Sequence, residues 1–478
     1  MKTIFRGLSV SLLALVAAGC STPNPTALDK PDDVPVAFTG PVAMEAPIWP
    51  DANWWVNFKA EELPALEDTA QKQNLDLAAA DARVLEAQAT DEGAFAALLP
   101  TLNGNAGATR KGTPLSSTRE ADSNAFTAGL AASYQLDFWG ANQDRLRQAR
   151  ETLRGARYAE TIVGLTTEAA VANQYFTILA LRQRITILRQ NIDAAKRDLT
   201  VVQAKVTAGV SSNLDLAQEQ SQVAIQQARL PGLIEQEREG RNALAILLGR
   251  APEGFDVKAQ NLDGIVSPTV RPGLPSEFLL RNPSVAQAEA NLYALHANLD
   301  AARAAFFPQI GLTGSAGYGS ALVSSLINPA GFAWSVGASL VQSIFDGGKL
   351  AAADDLAKAQ QTESIANYRK AVFTAFSNVE NALGQVSSGN DQLVALNEEV
   401  RASTEAFRIA ELRYREGTID ILSLLTAQTT LFGAQDALVT TQLARLQADV
   451  SLYQVLGGGW TQQASDEAYV DQLQWWPL

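Results

Sequence analysis

The two halves of this 478-residue chain match each other at an almost constant offset of 208 positions. Asn74-Leu75-Asp76-Leu77-Ala78 aligns with Asn282-Pro283-Ser284-Val285-Ala286, and Leu99-Pro100-Thr101-Leu102 with Phe307-Pro308-Gln309-Ile310. Leu136-Asp137-Phe138-Trp139-Gly140 meets Ser343-Ile344-Phe345-Asp346-Gly347, Gly209 meets Gly417, and Leu248-Gly249 meets Leu456-Gly457. Solenoid repeats run at roughly 20–50 residues, so a period this long marks a duplicated half-molecule. An architecture built twice argues for symmetry and against a single asymmetric catalytic cleft.

Within each half the hydrophobic period changes in a fixed order. Ile178, Leu181, Ile185, Leu188, Ile192, Ala195, Leu199, Val202 and Val206 step by three and four, a heptad seam that the second half repeats with Leu393, Leu396, Val400, Ser403, Phe407, Ala410 and Tyr414. No proline falls between Gly140 and Gly209 or between Gly347 and Gly417. Each segment is therefore expected as one helix of about 68 residues, on the order of 100 Å long. Shorter helical stretches, 65–98 and 213–248, then 277–306 and 420–456, flank the long ones, and each pair sums to about the long helix's length. Two short helices stacked end to end beside one long one follow from that match.

Four stretches alternate with period 2. Ile310, Leu312, Gly314, Ala316 and Tyr318 alternate with small polar residues, as do Trp334, Val336, Ala338 and Leu340; Leu102, Ala106, Ala108 and then Phe126, Ala128, Leu130, Ala132, Tyr134 do the same in the first half. One apolar face and one face of small polar groups is the pattern of a membrane barrel with a wet lumen, although a soluble sandwich also alternates. Four strands cannot close on themselves in lipid, where an open edge leaves backbone groups unsatisfied. A barrel would have to be shared, with eight strands from two chains or 12 from three.

Composition removes most enzyme classes. One Cys and one His exclude disulfide scaffolds, Cys/His zinc sites and every catalytic scheme needing both a thiol and an imidazole except one built on that pair. A net charge of −14 makes nucleic acid a poor partner. His296 reads as an ordinary packed or surface residue, and Asp346-Gly347-Gly348-Lys349 lacks the P-loop spacing and is a strand-to-helix turn. Neither a metal nor a cofactor is expected. Residues 1–19 read as a signal peptide: Lys2 and Arg6, an apolar run from Leu8 to Ala18, then small residues before the sole cysteine, Cys20. Ala17-Ala18-Gly19-Cys20 resembles a bacterial lipobox, which implies acylation of Cys20, and Ser21 after it resembles sorting to the outer membrane. Seven prolines between residues 21 and 50 make an extended tether. The expected organisation is signal peptide 1–19, lipidated N-terminus and tether 20–60, first repeat 61–260, second repeat 261–460 and tail 461–478.

The order of signal, lipid cysteine, tether, and twice helix, strand pair, long helix and shorter helix resembles the TolC/OprM/NodT outer-membrane efflux family. Trp54-Trp55 to Phe58, Leu136 to Gly140, Leu274-Pro275-Ser276 with Arg281-Asn282-Pro283, Phe307-Pro308, Tyr414-Arg415-Glu416-Gly417, Ala427-Gln428 and Leu456-Gly457-Gly458-Gly459-Trp460 carry the likeness over nearly all of the mature chain. The resemblance implies an α+β membrane protein, a homotrimer whose 12-stranded outer-membrane β-barrel continues into a periplasmic α-helical barrel. Its role would be a passive exit duct loaded by a periplasmic adaptor and an inner-membrane pump, with no enzymatic activity. Asn282 departs from the Asp usual in the lipoprotein branch.

The same resemblance puts a periplasmic gate at Asp215 and Tyr414, joined by a hydroxyl-to-carboxylate bond, with Asp420 beside them, and adaptor contacts at Gly209, Val210, Ser211, Gly417, Thr418 and Ile419. The usual gate charges are partly replaced, by Ile419, Thr426 and Thr429. On local chemistry alone, Ser212-x-x-Asp215 is a capping box, Asp420 an N-cap, and both glycines end long helices. The acid excess, if it lines the tunnel, favours cations. The rival reading is a coiled-coil outer-membrane lipoprotein without a pore, which the heptads would support and the strands would not.

Overall fold

The computed structural model describes residue 38 and residues 48–116, 119–270 and 275–461, apart from the side chains of 113–122 and Ser276. The leader, Cys20, the tether up to residue 37 and all of the tail after residue 461 lie outside the described residues. Those described belong to one unit, Phe38–Leu478.

A 3-10 turn, Trp54–Phe58, leads into α1 (Leu63–Gln73) and α2 (Leu75–Ala96). Strands β1 (Thr101–Ser116) and β2 (Arg119–Leu136) precede the long α3 (Ala141–Thr207) and then α4 (Asn213–Leu247). The second half repeats the order with α5 (Pro275–Leu279), α6 (Pro283–Ala304), β3 (Gln309–Ser320), β4 (Phe332–Val341), the long α7 (Lys349–Glu416) and α8 (Ile421–Val455). The long helices have 67 and 68 residues. Helices α2 and α4 pack along α3, and α6 and α8 along α7, as the matched lengths required. Among the described residues no helix is long and apolar enough to cross a membrane.

The stretches 65–98 and 277–306 are not single helices. Asn74 is extended (ψ 132°) and its Oδ1 accepts from the amides of Asp76 and Leu77 at 2.8 and 3.0 Å, so it starts a new helix. Asn282 does the same for Ser284 and Val285, with Pro283 opening α6 where a missing amide costs nothing. Asp137 and Asp346 start the two long helices, accepting from the amides of Asn142 and Gln143, and of Gly348 and Leu350.

The four strands form one antiparallel sheet in the order β1-β2-β3-β4, leaving β1 and β4 as edges. Pairs such as Leu102 with Ala132, Leu130 with both Gly104 and Ala316, and Ala316 with Trp334 keep the apolar rows on one face. Thr101, Asn103, Ser133, Thr313, Ser315, Ser335 and Ser339 make up the other. Leu102, Leu130, Trp334, Val336 and Leu340 are all more than half exposed in the single chain. At the base of the sheet, Trp139 stacks on Phe307 at 4.7 Å and donates its indole N–H to the Pro308 carbonyl at 2.7 Å. Phe138, Phe306 and Phe345 are exposed beside them, the aromatic girdle expected at a membrane interface.

The principal core surrounds the middle of α3, where Tyr175, Phe176, Ile178 and Leu179 meet Trp54, Trp55, Phe58, Leu244, Leu248, Val450 and Tyr453. The turns that follow α4 and α8 are built alike. Asn74 Nδ2 donates to the Leu247 carbonyl at 2.8 Å, and Asn282 Nδ2 to the Val455 carbonyl at 3.4 Å.

Candidate functional site at the helix tip

Helices α3 and α7 end together, and the chain turns there into α4 and α8. Gly209 (φ +73°) and Gly417 (φ +78°) take the left-handed conformation that closes each long helix. At Gly417 the amide returns to the Tyr414 carbonyl at 3.1 Å and the Thr418 amide to the Arg413 carbonyl at 2.9 Å. The Val210 side chain is 73% exposed, placing an apolar group at the extremity. Ile419, by contrast, packs inward against a small core of Val202, Ala410, Tyr414, Ile421 and Leu424.

The structure does not join Asp215 to Tyr414. The Asp215 carboxylate instead accepts from the Ser211 hydroxyl at 2.6 Å and the Ser212 amide at 2.9 Å, while the Asp215 amide donates to the Ser212 hydroxyl. This is the full capping box, and the Ser211 hydrogen bond leads in holding the Asp215 carboxyl below its usual range. Asp420 likewise caps α8 through the Ser423 amide at 2.8 Å, and Ser423 lowers its pKa. Tyr414 is buried, which pushes its phenol upward, with Ser211 beside its hydroxyl.

Near the tip, three contacts among the described residues tie the α3/α4 hairpin to the α7/α8 hairpin. The Lys205 ammonium donates to the Tyr414 carbonyl and sits 4.2 Å from the centre of the Tyr414 ring. About two turns further from the tip, Gln428 Nε2 donates to Asp198 Oδ2 at 3.2 Å, and Gln222 Nε2 to the Thr429 hydroxyl at 3.3 Å. Thr429 thus takes part in a neutral tie. Thr426 only bonds back to the Leu422 carbonyl of its own helix.

Beside these ties lies Glu219, fully buried, with no hydrogen-bond partner among the described residues for either carboxylate oxygen. Burial, with the nearby Asp198 charge, raises its pKa to about 7; burial and then Glu411 raise Asp198 to about 6. Sequence reasoning passed over both acids and Lys205. A signal was available for Glu219, which stands three after Leu216 and four before Val223 and so falls on the apolar stripe of α4. The repeat gives no help, because the positions 208 later than Asp198 and Glu219 are Ala406 and Ala427. His296 is far from the tip; its Nδ1 contacts Gln361 Nε2 at 2.7 Å, a packing role.

Against known families, a family described as "Outer membrane efflux protein" matches residues 66–250 and 274–458, two stretches displaced by the 208 of the internal repeat. The chain is 38% identical over 466 residues to the pyoverdine export outer membrane protein OpmQ of Pseudomonas aeruginosa, covering 95% of this chain and 97% of that one. It is 31% identical to the probable efflux pump outer membrane protein TtgC of Pseudomonas putida, covering 97% and 98%. Among solved structures, the outer-membrane channel OprN superposes with a TM-score of 0.85 at 27% identity over 92% of this chain and 99% of that one. The open state of the MtrE channel of Neisseria gonorrhoeae gives 0.81 at 29% identity, over 89% and 96%.

Proposed function

The chain belongs to the outer membrane efflux protein family, and from that premise we propose how its tip works as the gate and docking end of the duct. It is a subunit of an outer-membrane exit duct in a tripartite efflux system, lying in the outer membrane and extending into the periplasm. Four strands per copy with two free edges become a closed 12-stranded barrel when three copies pair β4 to β1. That edge pair is the observation on which the functional reading rests: an isolated copy would leave β1 and β4 unsatisfied in lipid.

The duct supplies neither energy nor bond chemistry in this reading; an inner-membrane pump does the work. Gly209, Val210, Ser211, Gly417, Thr418 and Ile419 form the end that a periplasmic adaptor meets, with exposed Val210 as its apolar contact. Asp215 and Asp420 hold the first turns of α4 and α8 in shape. Opening separates the tips of the two hairpins, so it must break the Lys205–Tyr414, Gln428–Asp198 and Gln222–Thr429 ties. Acylation of Cys20 would add a second membrane anchor. The likeness to a protein named for pyoverdine export supports a small secreted metabolite as cargo. The polar row of the sheet from Thr101 to Thr109 and across β3 and β4 carries no carboxylate, so a cation preference would have to arise in the helical part of the duct.

Planar-bilayer conductance of the purified trimer tests the gate. Lys205→Ala removes a charge-assisted hydrogen bond and a ring contact together, and conductance is expected to rise severalfold over the wild type. Unchanged conductance in Lys205→Ala would move the gate away from this tip.

A further inference from the structure

We propose that Glu219, with Asp198 facing it, is a proton-binding site that latches the α3/α4 hairpin to the α7/α8 hairpin: loaded, it holds the gate shut, and proton loss loosens it. The inference rests on the gate reading above and gives that gate a regulator.

The argument starts from missing donors. Glu219 is fully buried in α4 and neither carboxylate oxygen meets a donor among the described residues. Gln428 is also fully buried, and its Oε1 lacks a donor while its Nε2 serves Asp198. On α7 the Tyr414 phenol, on which Asp215, Glu219 and Asp198 all act, brings one hydroxyl against these three oxygens, so the layer still holds surplus acceptors. A proton on Glu219 removes a buried charge and supplies an O–H to a layer short of donors. An ionised Glu219 would instead be a bare charge next to a second carboxylate, which burial strongly disfavours.

No neighbouring cation takes that role. On α3, Lys205 is committed to the Tyr414 carbonyl and ring, and Arg197 lowers Asp198 but is not among the charges that act on Glu219. On α7, Arg415 is ion-paired with Glu411, whose charge pushes Asp198 upward more than Arg415 pulls it down. Helix α4 adds only the Asp215 carboxylate toward the tip, and α8 brings neutral Gln428 and Thr429 with Asp420 at its cap.

The sign follows from linkage. Separated hairpins expose both carboxyls to water, where each returns to its ordinary acidic range, so the latched form binds more protons. Latching is strongest below the hydrated pKa values and weakens as pH rises through about 6 for Asp198 and about 7 for Glu219. Acid periplasm then keeps the duct shut, and neutral to mildly alkaline conditions prime it.

The test is conductance of the full trimer in planar bilayers from pH 5 to pH 8.5, for wild type, Glu219→Gln, Asp198→Asn and Lys205→Ala. Wild-type conductance is expected to rise at least about tenfold across this range, a floor set by one unit of differential protonation where the two carboxyls together allow more. Glu219→Gln, neutral at every pH with a donor in place, loses the rise near pH 7 and keeps only the smaller step near pH 6 that Asp198 contributes. Asp198→Asn keeps a rise with its midpoint moved to lower pH, because the charge that helps raise Glu219 is gone; it serves if Glu219→Gln fails to assemble. A flat wild-type profile, or a Glu219→Gln profile that follows wild type, overturns the latch while a leaky Lys205→Ala leaves the gate standing. If Lys205→Ala is silent as well, the gate reading itself falls. Replacing choline by sodium at pH 8 and constant ionic strength should change nothing; reclosure by sodium would make this a metal-cation site and overturn the proton assignment.

Discussion

The turns that follow α4 and α8 and the turns at the tip each use a glycine from both halves, yet for different reasons. Gly249 (φ +66°) and Gly457 (φ +89°) lie against backbone: a Cβ at either would overlap the carbonyl oxygen of Gln73 or Arg281. Gly209 and Gly417 have open space where a Cβ would go and need glycine only for their positive φ. Where chain touches chain, duplication has kept both partners, down to Asn74 and Asn282. Where a turn ends in solvent, only the glycine persists, and Val210-Ser211-Ser212 faces Thr418-Ile419-Asp420. Symmetry in this protein follows close packing, and the functional end is free to differ between halves.

The largest expected effect would break or confirm that contrast. Gly249→Ala and Gly457→Ala force a backbone overlap that only a shift of α1 or α5 can relieve, at about 3–5 kcal/mol each. Gly209→Ala and Gly417→Ala pay the left-handed strain alone, about 1 kcal/mol. Thermal melting of detergent-solubilised trimers should separate the two pairs by many degrees. Equal losses at all four positions would show that φ alone, and not the close approach, governs these turns.

A second comparison lies within the central belt itself. The first half puts Glu67 of α1, fully buried with no partner among the described residues, near Glu168 of α3; the second half packs Phe278 of α5 on Phe376 of α7 at 5.9 Å. Burial, then the Glu168 charge, raises Glu67 to about 10. The folded chain thus keeps a proton that the unfolded chain releases above its ordinary pKa of 4.5. Stability contributed by that proton is complete below about 4.5 and is lost as pH rises toward 10. Glu67→Gln removes the titration at nearly constant shape, so it should stabilise by about 1–3 kcal/mol at pH 8 and by almost nothing at pH 4.5. A stability gain independent of pH would mean that Glu67 is ionised in the folded chain.

The architecture was legible because duplication and period carry it: the proline-free runs gave both long helices, and the alternation of Ile310 to Tyr318 and Trp334 to Leu340 gave strands. Helix breaks at Asn74 and Asn282 were missed because an Asn within an apolar-periodic run reads as helical, while its capping partners are backbone groups that no pattern displays. The tip was legible as turns and caps, and its glycine and capping-box residues sit as their local chemistry required. Its inter-hairpin ties were hidden, since Lys205 with Tyr414 and Asp198 with Gln428 pair across more than 200 residues, and the repeat mates of Tyr414 and Asp198 are Val206 and Ala406, so neither pair recurs in the other half. An expected Asp215–Tyr414 bond lost to a nearer partner: Ser211 and Ser212 reach the carboxylate within one turn, at almost no cost in chain ordering.

The smallest effect concerns the two asparagines that open α2 and α6. Asn282 and Asn74 each do two jobs, accepting from the first amides of a helix and donating to the last turn of another. An aspartate keeps the first and strengthens it through the helix dipole, but loses the second and sets a carboxylate oxygen against a carbonyl. Asn74→Asp, where the donated bond is 2.8 Å, should cost about 2 kcal/mol at pH 7; Asn282→Asp, where it is 3.4 Å, about 1 kcal/mol or less. Acidification separates the two jobs. Once protonated, the new carboxyl can again donate to the Leu247 or Val455 carbonyl, so both deficits relative to the parent chain should shrink below about pH 4. If they grow instead, the cap is the larger contribution, and the symmetry of the two asparagines reflects helix initiation more than the junction between helices.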